Sequence, residues 1–393
     1  MADRRPLLTS LDALFRALAE RGYELVGPTV RDGAIVYDHI DDPKALPVGW
    51  TEVHAAGSYA LAQRDDAACF GYPVGPHAWK RFLHPSALRL WRAERGSDGS
   101  FRIDEGVTPA PRRAFIGVRP CDLAAIAIQD RVFTGGAYVD RDYQARRAAS
   151  FIVAVHCSEP GGTCFCASMG TGPRAAGGFD LALTELLGDA PEAAPRYLLE
   201  IGSERGAEVA DRLGASEADE ATIAAADQQL NRAAERMGRH LDTHGLAEAL
   251  QAALDHPHWD SVAQRCLACG NCTLACPTCF CTTVEDTTDL TGSVAERTRR
   301  WDSCFTLDLS YIHGGAVRPS LRSRYRQWLT HKLATWQTQF GTSGCVGCGR
   351  CITWCPAAID LTVEAATIAG ARPAATPLAQ AYREEVRDAA TRA

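Results

Sequence analysis

The amino-acid sequence predicts an α+β protein: an N-terminal α/β domain followed by a mostly α-helical, cysteine-rich domain. Three observations carry this reading. Residues 114–118 and Ser150–Val155 are short, apolar runs, the pattern of strands buried on both faces of a sheet. Residues 216–253 turn rich in Ala, Glu, Gln and Arg, with apolar positions at helical spacing. Beyond them, two cysteine runs of identical spacing occupy the C-terminal third.

In order, residues 11–18 place Leu11, Leu14, Phe15 and Leu18 at helical spacing behind a capping-box-like start at Thr9 and Asp12. Residues 23–26, 34–37, 57–63 and 70–74 alternate in hydrophobicity between Gly and Pro punctuation and read as strands. The strand at 114–118 ends in Arg119, Pro120, Cys121 and Asp122, and 123–132 reads as a helix. The strand Ser150–Val155 ends in His156 and Cys157. Two strands that each deliver a cysteine at the C-terminal end suggest a site along that edge of an α/β sheet. Residues 181–186 and 197–201 read as further strands, and a helix starts at Ser203. The expected organisation is an α/β domain over 1–215, a helical linker over 216–255, the cysteine-rich helical domain over 256–368 and an Ala-rich tail over 369–393.

Composition bounds the function. The chain has 393 residues, 46% hydrophobic and 23% charged, with net charge −7. It carries no basic stripe, which argues against nucleic-acid binding. No run of eighteen or more apolar residues offers a membrane span, and the N-terminus lacks the apolar core of a signal peptide. A cytoplasmic protein is expected, in which the 16 cysteines serve as ligands rather than disulfides.

The first cysteine run is Cys266, Cys269, Cys272 and Cys276, with Pro277 following. The second is Cys345, Cys348, Cys351 and Cys355, with Pro356 following. Both spell C-x2-C-x2-C-x3-C-P, the run of two-cluster ferredoxins, in which the fourth cysteine ligates the other cluster. One 4Fe–4S cluster is therefore expected on Cys266, Cys269, Cys272 and Cys355. The other is expected on Cys345, Cys348, Cys351 and Cys276. A structural zinc site wants two separated C-x2-C pairs and has no use for the third and fourth cysteines. The long spacer between the runs, helical over 320–340, points to an α-helical ferredoxin-like domain rather than a small β-rich one.

Cys121, Cys157, Cys164 and Cys166 form a second group, read either as a third iron–sulfur site or as buried small hydrophobes. Cys279, Cys281 and Cys304 are expected to pack around the clusters or shield them. Arg350 and Asn271, inside the two runs, are the expected tuners of the two potentials. Arg119, Arg322, Arg324 and Arg326 could neutralise an anionic cluster or dock a partner, although a solvated face is commoner. No catalytic residue is expected: nothing resembles a nucleophile with its base, and residues 170–175 match a dinucleotide fingerprint only formally, without a preceding strand.

Residues 117–123 (Gly-Val-Arg-Pro-Cys-Asp-Leu), the pair Cys164 and Cys166, the CLACGNC run with its CPTCFC ending, and residues 300–304 (Arg-Trp-Asp-Ser-Cys) carry a resemblance. They resemble the β subunit of cytosolic sulfhydrogenase-type NiFe hydrogenases and the A subunit of anaerobic sulfite reductases. The resemblance covers nearly the whole chain apart from the tail. It implies an electron-transfer subunit between a flavin subunit handling NAD(P)H and a hydrogenase catalytic module. The alternative is service to a sulfite reductase catalytic subunit. A self-contained oxidoreductase with its own substrate or flavin site is a second alternative.

Overall fold

A computed structural model describes residues 5–106, 109–188, 190 and 193–372. The expected tail, beyond residue 372, lies outside the described residues. The first half of the chain runs through β1 (Pro6–Leu8), α1 (Asp12–Glu20), β2 (Glu24–Arg31), β3 (Ala34–His39), β4 (Trp50–Ala55) and β5 (Ser58–Gln63). Then come α2 (Lys80–Leu83), β6 (Ala87–Arg95), β7 (Phe101–Asp104), β8 (Arg113–Val118), α3 (Pro120–Thr134), α4 (Arg141–Ala148) and β9 (Ser150–Val155). β10 (Leu181–Leu186), β11 (Arg196–Ile201), α5 (Glu204–Ala210) and β12 (Ser216–Glu217) follow.

Eight of these strands form one sheet in the order β12-β1-β11-β10-β9-β8-β2-β3. Its centre is parallel, from β10 through β9 and β8 to β2, and its edges are antiparallel. Because side chains alternate along a strand, Phe151, Val153 and Val155 enter one core with Leu14 and Leu18 of α1 and Val209 of α5. Ile152 and Ala154 enter the other with Leu123 and Ile126 of α3. Helices on both faces explain why β8 and β9 are apolar throughout. β2 and β3 join through Asp32 and Gly33, both at positive φ (52° and 72°), the Asp-Gly turn that matches strand twist. Residues 70–74, expected as a strand, form irregular chain instead. Their carbonyls have another use: Phe70 and Tyr72 accept from Arg119 Nη2 at 2.7 and 2.6 Å.

The second half begins with α6 (Glu220–Glu235) and α7 (Leu246–Ala252). The first lays Ala226 against Leu186 and Leu198 of the sheet, and the second packs Leu246 and Leu250 into the cysteine-bearing core. Between them Arg239 is buried, with Nε 2.6 Å from Asp360 Oδ2 and Nη1 2.5 Å from the Gly162 carbonyl. α8 (His258–Arg265), α9 (Asn271–Leu274), β13 (Thr282–Thr288), β14 (Val294–Trp301) and α10 (Leu321–Thr330) come next. A π-helical turn over His331–Thr335, α11 (Trp336–Phe340), α12 (Arg350–Thr353) and α13 (Leu361–Ile368) complete the described chain. Trp259, Tyr325, Trp328, Leu329 and Ile352 centre this core.

The spacer is helical over α10 to α11, as the spacing predicts, but not over 282–301. There β13 and β14 form a hairpin that joins β6 and β7 in a four-stranded sheet, so strands from both halves share one sheet. None of its strand positions is buried, and the pairing carries cross-strand contacts such as Arg297 with Asp286 (2.6 Å) and Arg300 with Glu285 (2.7 Å).

Glu185, near the end of β10, is buried and accepts the backbone N–H groups of Cys69 and Phe70 at 2.7 and 2.9 Å. Burial pushes its carboxyl up to about 7 against those bonds. A folded-state value above the unfolded one means stability is complete below the unfolded value and lost as pH rises through about 7. From about pH 5 to about pH 8, the wild type should lose up to ~3 kcal/mol more than Glu185→Gln. Denaturation midpoints at the two pH values test this.

Candidate metal centre

The two cysteine runs repeat in conformation as well as in spelling. In the first, α8 ends at Arg265 and the chain extends at Cys266. Ala268 and Gly270 are then left-handed (φ 54° and 76°), and Gly270 caps α9. In the second, Gly347 and Gly349 stand at the same offsets with φ 66° and 76°, and Gly349 caps α12. Left-handed backbone costs a non-glycine residue ~1–2 kcal/mol, so Ala268 is held there by its surroundings. Asn271 Nδ2 donates to the Trp354 carbonyl at 3.2 Å, tying the runs together.

Cys266, Cys269, Cys272, Cys351 and Cys355 line one pocket together with Phe305, Tyr325, Trp328, Ile359 and Leu361. Three of those cysteines come from the first run and two from the second. Cys269 is exposed, and Leu267 and Leu274 beside it are exposed as well. Cys355 Sγ accepts the Ile359 N–H at 3.4 Å.

The reciprocal set lies deeper. Cys276, Cys345 and Cys348 are buried and Cys351 is partly so. Cys345 Sγ accepts the Gly347 N–H at 3.5 Å, and burial pushes the Cys345 thiol up to about 12. Cys276 is the exception: a hydrogen bond with Cys279 and the charge of Lys332 hold its thiol well below the ordinary value against burial. Lys332 Nζ sits 3.1 Å from Cys276 Sγ. Nothing in the sequence reading singled out this lysine.

The N-terminal cysteines also converge. Cys121 lies in the first turn of α3 and Cys157 just past β9, with Cys164 and Cys166 on the loop that follows. All four line one small pocket, walled by Pro73, Pro120, Pro160 and Pro173 and reached by Cys348. Arg119 lines it too, fully buried, with Nε and Nη1 lacking any acceptor. A buried cation with unused donors fits an anionic group in that space. Burial pushes the Cys164 thiol up to about 12, so an occupant must displace protons on binding.

Cys281 and Cys304 face each other at 3.9 Å, and Cys279 Sγ is 3.8 Å from Lys332 Nζ. Among the described residues, no three His, Cys, Asp or Glu side chains are grouped as a single metal ion would need; the first set and the N-terminal cysteines line pockets instead.

The expectation for Arg350 changes. Its guanidinium is bidentate to Asp122 at 2.8 and 2.9 Å, with Nε on the Gly75 carbonyl at 3.1 Å. A paired charge acts weakly at a distance, so Arg350 fastens the second run to α3 rather than acting as a free cation. Arg322 pairs with Asp260 at 3.2 Å, Arg324 donates to the Phe305 carbonyl and Arg326 to the Leu254 carbonyl at 2.7 Å.

Fold and cysteines together define an iron–sulfur electron-transfer protein. Residues 265–359 match the 4Fe-4S dicluster domain family. Sulfhydrogenase 2 subunit beta of Pyrococcus furiosus is 33% identical over 273 residues, covering 68% of this chain and 78% of that protein. The chain belongs to the sulfhydrogenase-type β-subunit family of 4Fe–4S dicluster proteins.

Asp122→Asn should leave the Arg350 guanidinium buried without its counter-charge and cost ~3–5 kcal/mol. The measure is the thermal midpoint of the anaerobically purified protein; an unchanged midpoint would remove the pair from the account.

Proposed function

We propose that the chain is the electron relay of a hydrogenase complex, passing electrons between a flavin subunit that handles NAD(P)H and a NiFe hydrogenase module. In this reading Cys266, Cys269, Cys272 and Cys355 hold one 4Fe–4S cluster. Cys276, Cys345, Cys348 and Cys351 hold a second, and Cys121, Cys157, Cys164 and Cys166 a third. The observation that carries it is the pocket lined by Cys266, Cys269 and Cys272 of the first run together with Cys351 and Cys355 of the second, which supports the exchange between runs that the spacing predicts. The partnership rests on the similarity to a protein named as a sulfhydrogenase subunit. No helix of the described residues is long and apolar enough to cross a membrane, and the cytoplasm is the compartment we infer.

A bound cluster would supply one-electron storage, its charge spread over iron and sulfide. The chain's own residues do the rest. Phe305, Tyr325 and Trp328 exclude water from the first site. The backbone N–H of Ile359 points at one sulfur and that of Gly347 at another. Arg119 offers unused donors at the N-terminal site. Cys348 belongs to the second set and also lines the N-terminal cavity, and Cys164 Sγ lies 3.8 Å from the Cys348 carbonyl. The second site thus stands between the other two. The exposed Cys269 marks the end at which a partner can approach closely.

Anaerobically purified protein should contain about twelve irons with matching acid-labile sulfide. A variant with both Cys164→Ser and Cys166→Ser should contain about four fewer. About eight irons in the wild type, unchanged in the variant, would leave the N-terminal cysteines as packing; zinc in place of iron would overturn the relay.

A further inference from the structure

Of 41 basic Lys and Arg residues, the chain uses lysine only at Lys44, Lys80 and Lys332. Lys44 is exposed, whereas Lys80 and Lys332 are buried, 4% and 5% accessible, beside the tail of the first cysteine run. A buried ammonium is costly unless something nearby requires it.

The two are placed differently. Lys80 Nζ points to the carbonyls of Cys279 and Leu274 at 3.2 and 3.5 Å and lies 3.9 Å over the Trp301 ring. Lys332 instead meets sulfur. Its Nζ is 3.1 Å from Cys276 Sγ, 3.2 Å from Thr278 Oγ1 and 3.4 Å from the Gly344 carbonyl. Thr278 Oγ1 itself donates to that carbonyl at 2.7 Å, which fixes the pocket around the ammonium. Lys332 lies in the π-helical turn at His331–Thr335, and such turns recur at functional positions. Lysine is a compact point charge with three rotatable donors, whereas a guanidinium is a planar fork. Three near acceptors around one nitrogen, with Cys279 Sγ farther out at 3.8 Å, suit the former.

The two runs otherwise match. Each has left-handed backbone at the same two offsets, and each of the two ligand sets has a backbone N–H on a cysteine sulfur, at 3.4 Å for Cys355 and 3.5 Å for Cys345. What the second set has and the first lacks, among the described residues, is an ammonium against a thiolate. The buried arginine of the second run is already neutralised by Asp122.

We propose that Lys332 sets the reduction potential of the second cluster, through an N–H···S bond to Cys276 and a positive charge that stabilises the reduced state. This rests on the ligand sets given above. Burial of the second site disfavours the added negative charge of reduction, and hydrogen bonds to sulfur and nearby charge are the protein's means of opposing that. Lys332 is therefore a positioning residue for the electron, not a ligand.

The test is an EPR-monitored redox titration of anaerobic wild type and Lys332→Met, with Cys276→Ser identifying the second cluster's signal. In Lys332→Met, at a fixed potential near the wild-type midpoint, the ratio of reduced to oxidised second cluster should fall at least tenfold. That is a midpoint shift of 59 mV or more for one electron, with the other signals unmoved. An unchanged midpoint with full iron content would overturn the proposal and leave the ligand sets standing. A wild type with no signal sensitive to Cys276→Ser would overturn both. If Lys332→Met fails to retain the cluster, wild type labelled with 15N-lysine decides: because lysine is so scarce, a 15N coupling on the second cluster's pulsed-EPR signal identifies Lys332. Its absence would overturn the proposal.

Discussion

The cysteine sites depend on two loops that approach each other at backbone distance. A Cβ added at Gly347 would lie 2.6 Å from the backbone of Phe165, and one at Gly349 would lie 2.5 Å from the Thr163 carbonyl. Real Cβ atoms do not tolerate such contacts, so the approach requires glycine, and the left-handed φ at both positions requires it again. The Phe165 N–H donates to the Gly347 carbonyl at 2.8 Å, and Thr163 and Thr353 hydroxyls meet at 2.8 Å. This contact brings the cysteines carried by the parallel sheet against those of the second run. Without it, the sheet edge and the cysteine-rich core would be two separate sites.

Around that contact, buried ion pairs fix the orientation of one half on the other. Asp122 sits beside Cys121 and grips Arg350 beside Cys351; Asp360 grips Arg239, which also holds the Gly162 carbonyl. Such pairs add little net stability over apolar packing, and breaking either partner is costly. Their value here is placement. They hold the cysteine loops in register from both sides. The pairing of β6 with β14 does the same at the far edge of the first cysteine run.

Much of this was legible. Cysteine spacing marked the two runs, whose backbone conformation the structure repeats. The apolar runs of β8 and β9 identified the sheet and the edge where Cys121 and Cys157 emerge. The hairpin at 282–301 was not legible, since neither of its faces is apolar and its partner strand lies 200 or more residues away. The same non-locality hid the partner of Arg350: nothing in the second run reveals that Asp122 will neutralise it. Lys332 was hidden by distance too. It lies four residues from both Trp328 and Trp336, on their face of the helix by ordinary spacing, but its partner Cys276 is 56 residues away in the chain. Residues 70–74 misled in the opposite sense: they alternate like a strand, but their carbonyls are committed to Arg119.

The central claim is that the three cysteine sets lie close enough to form one relay. EPR spectra of the fully reduced, anaerobically purified protein test it most directly, because paramagnetic clusters in neighbouring loops couple magnetically. The account predicts broadened or split signals, with rapid spin relaxation, that simplify when one cysteine set is removed. A spectrum that is the plain sum of isolated, non-interacting clusters would contradict it.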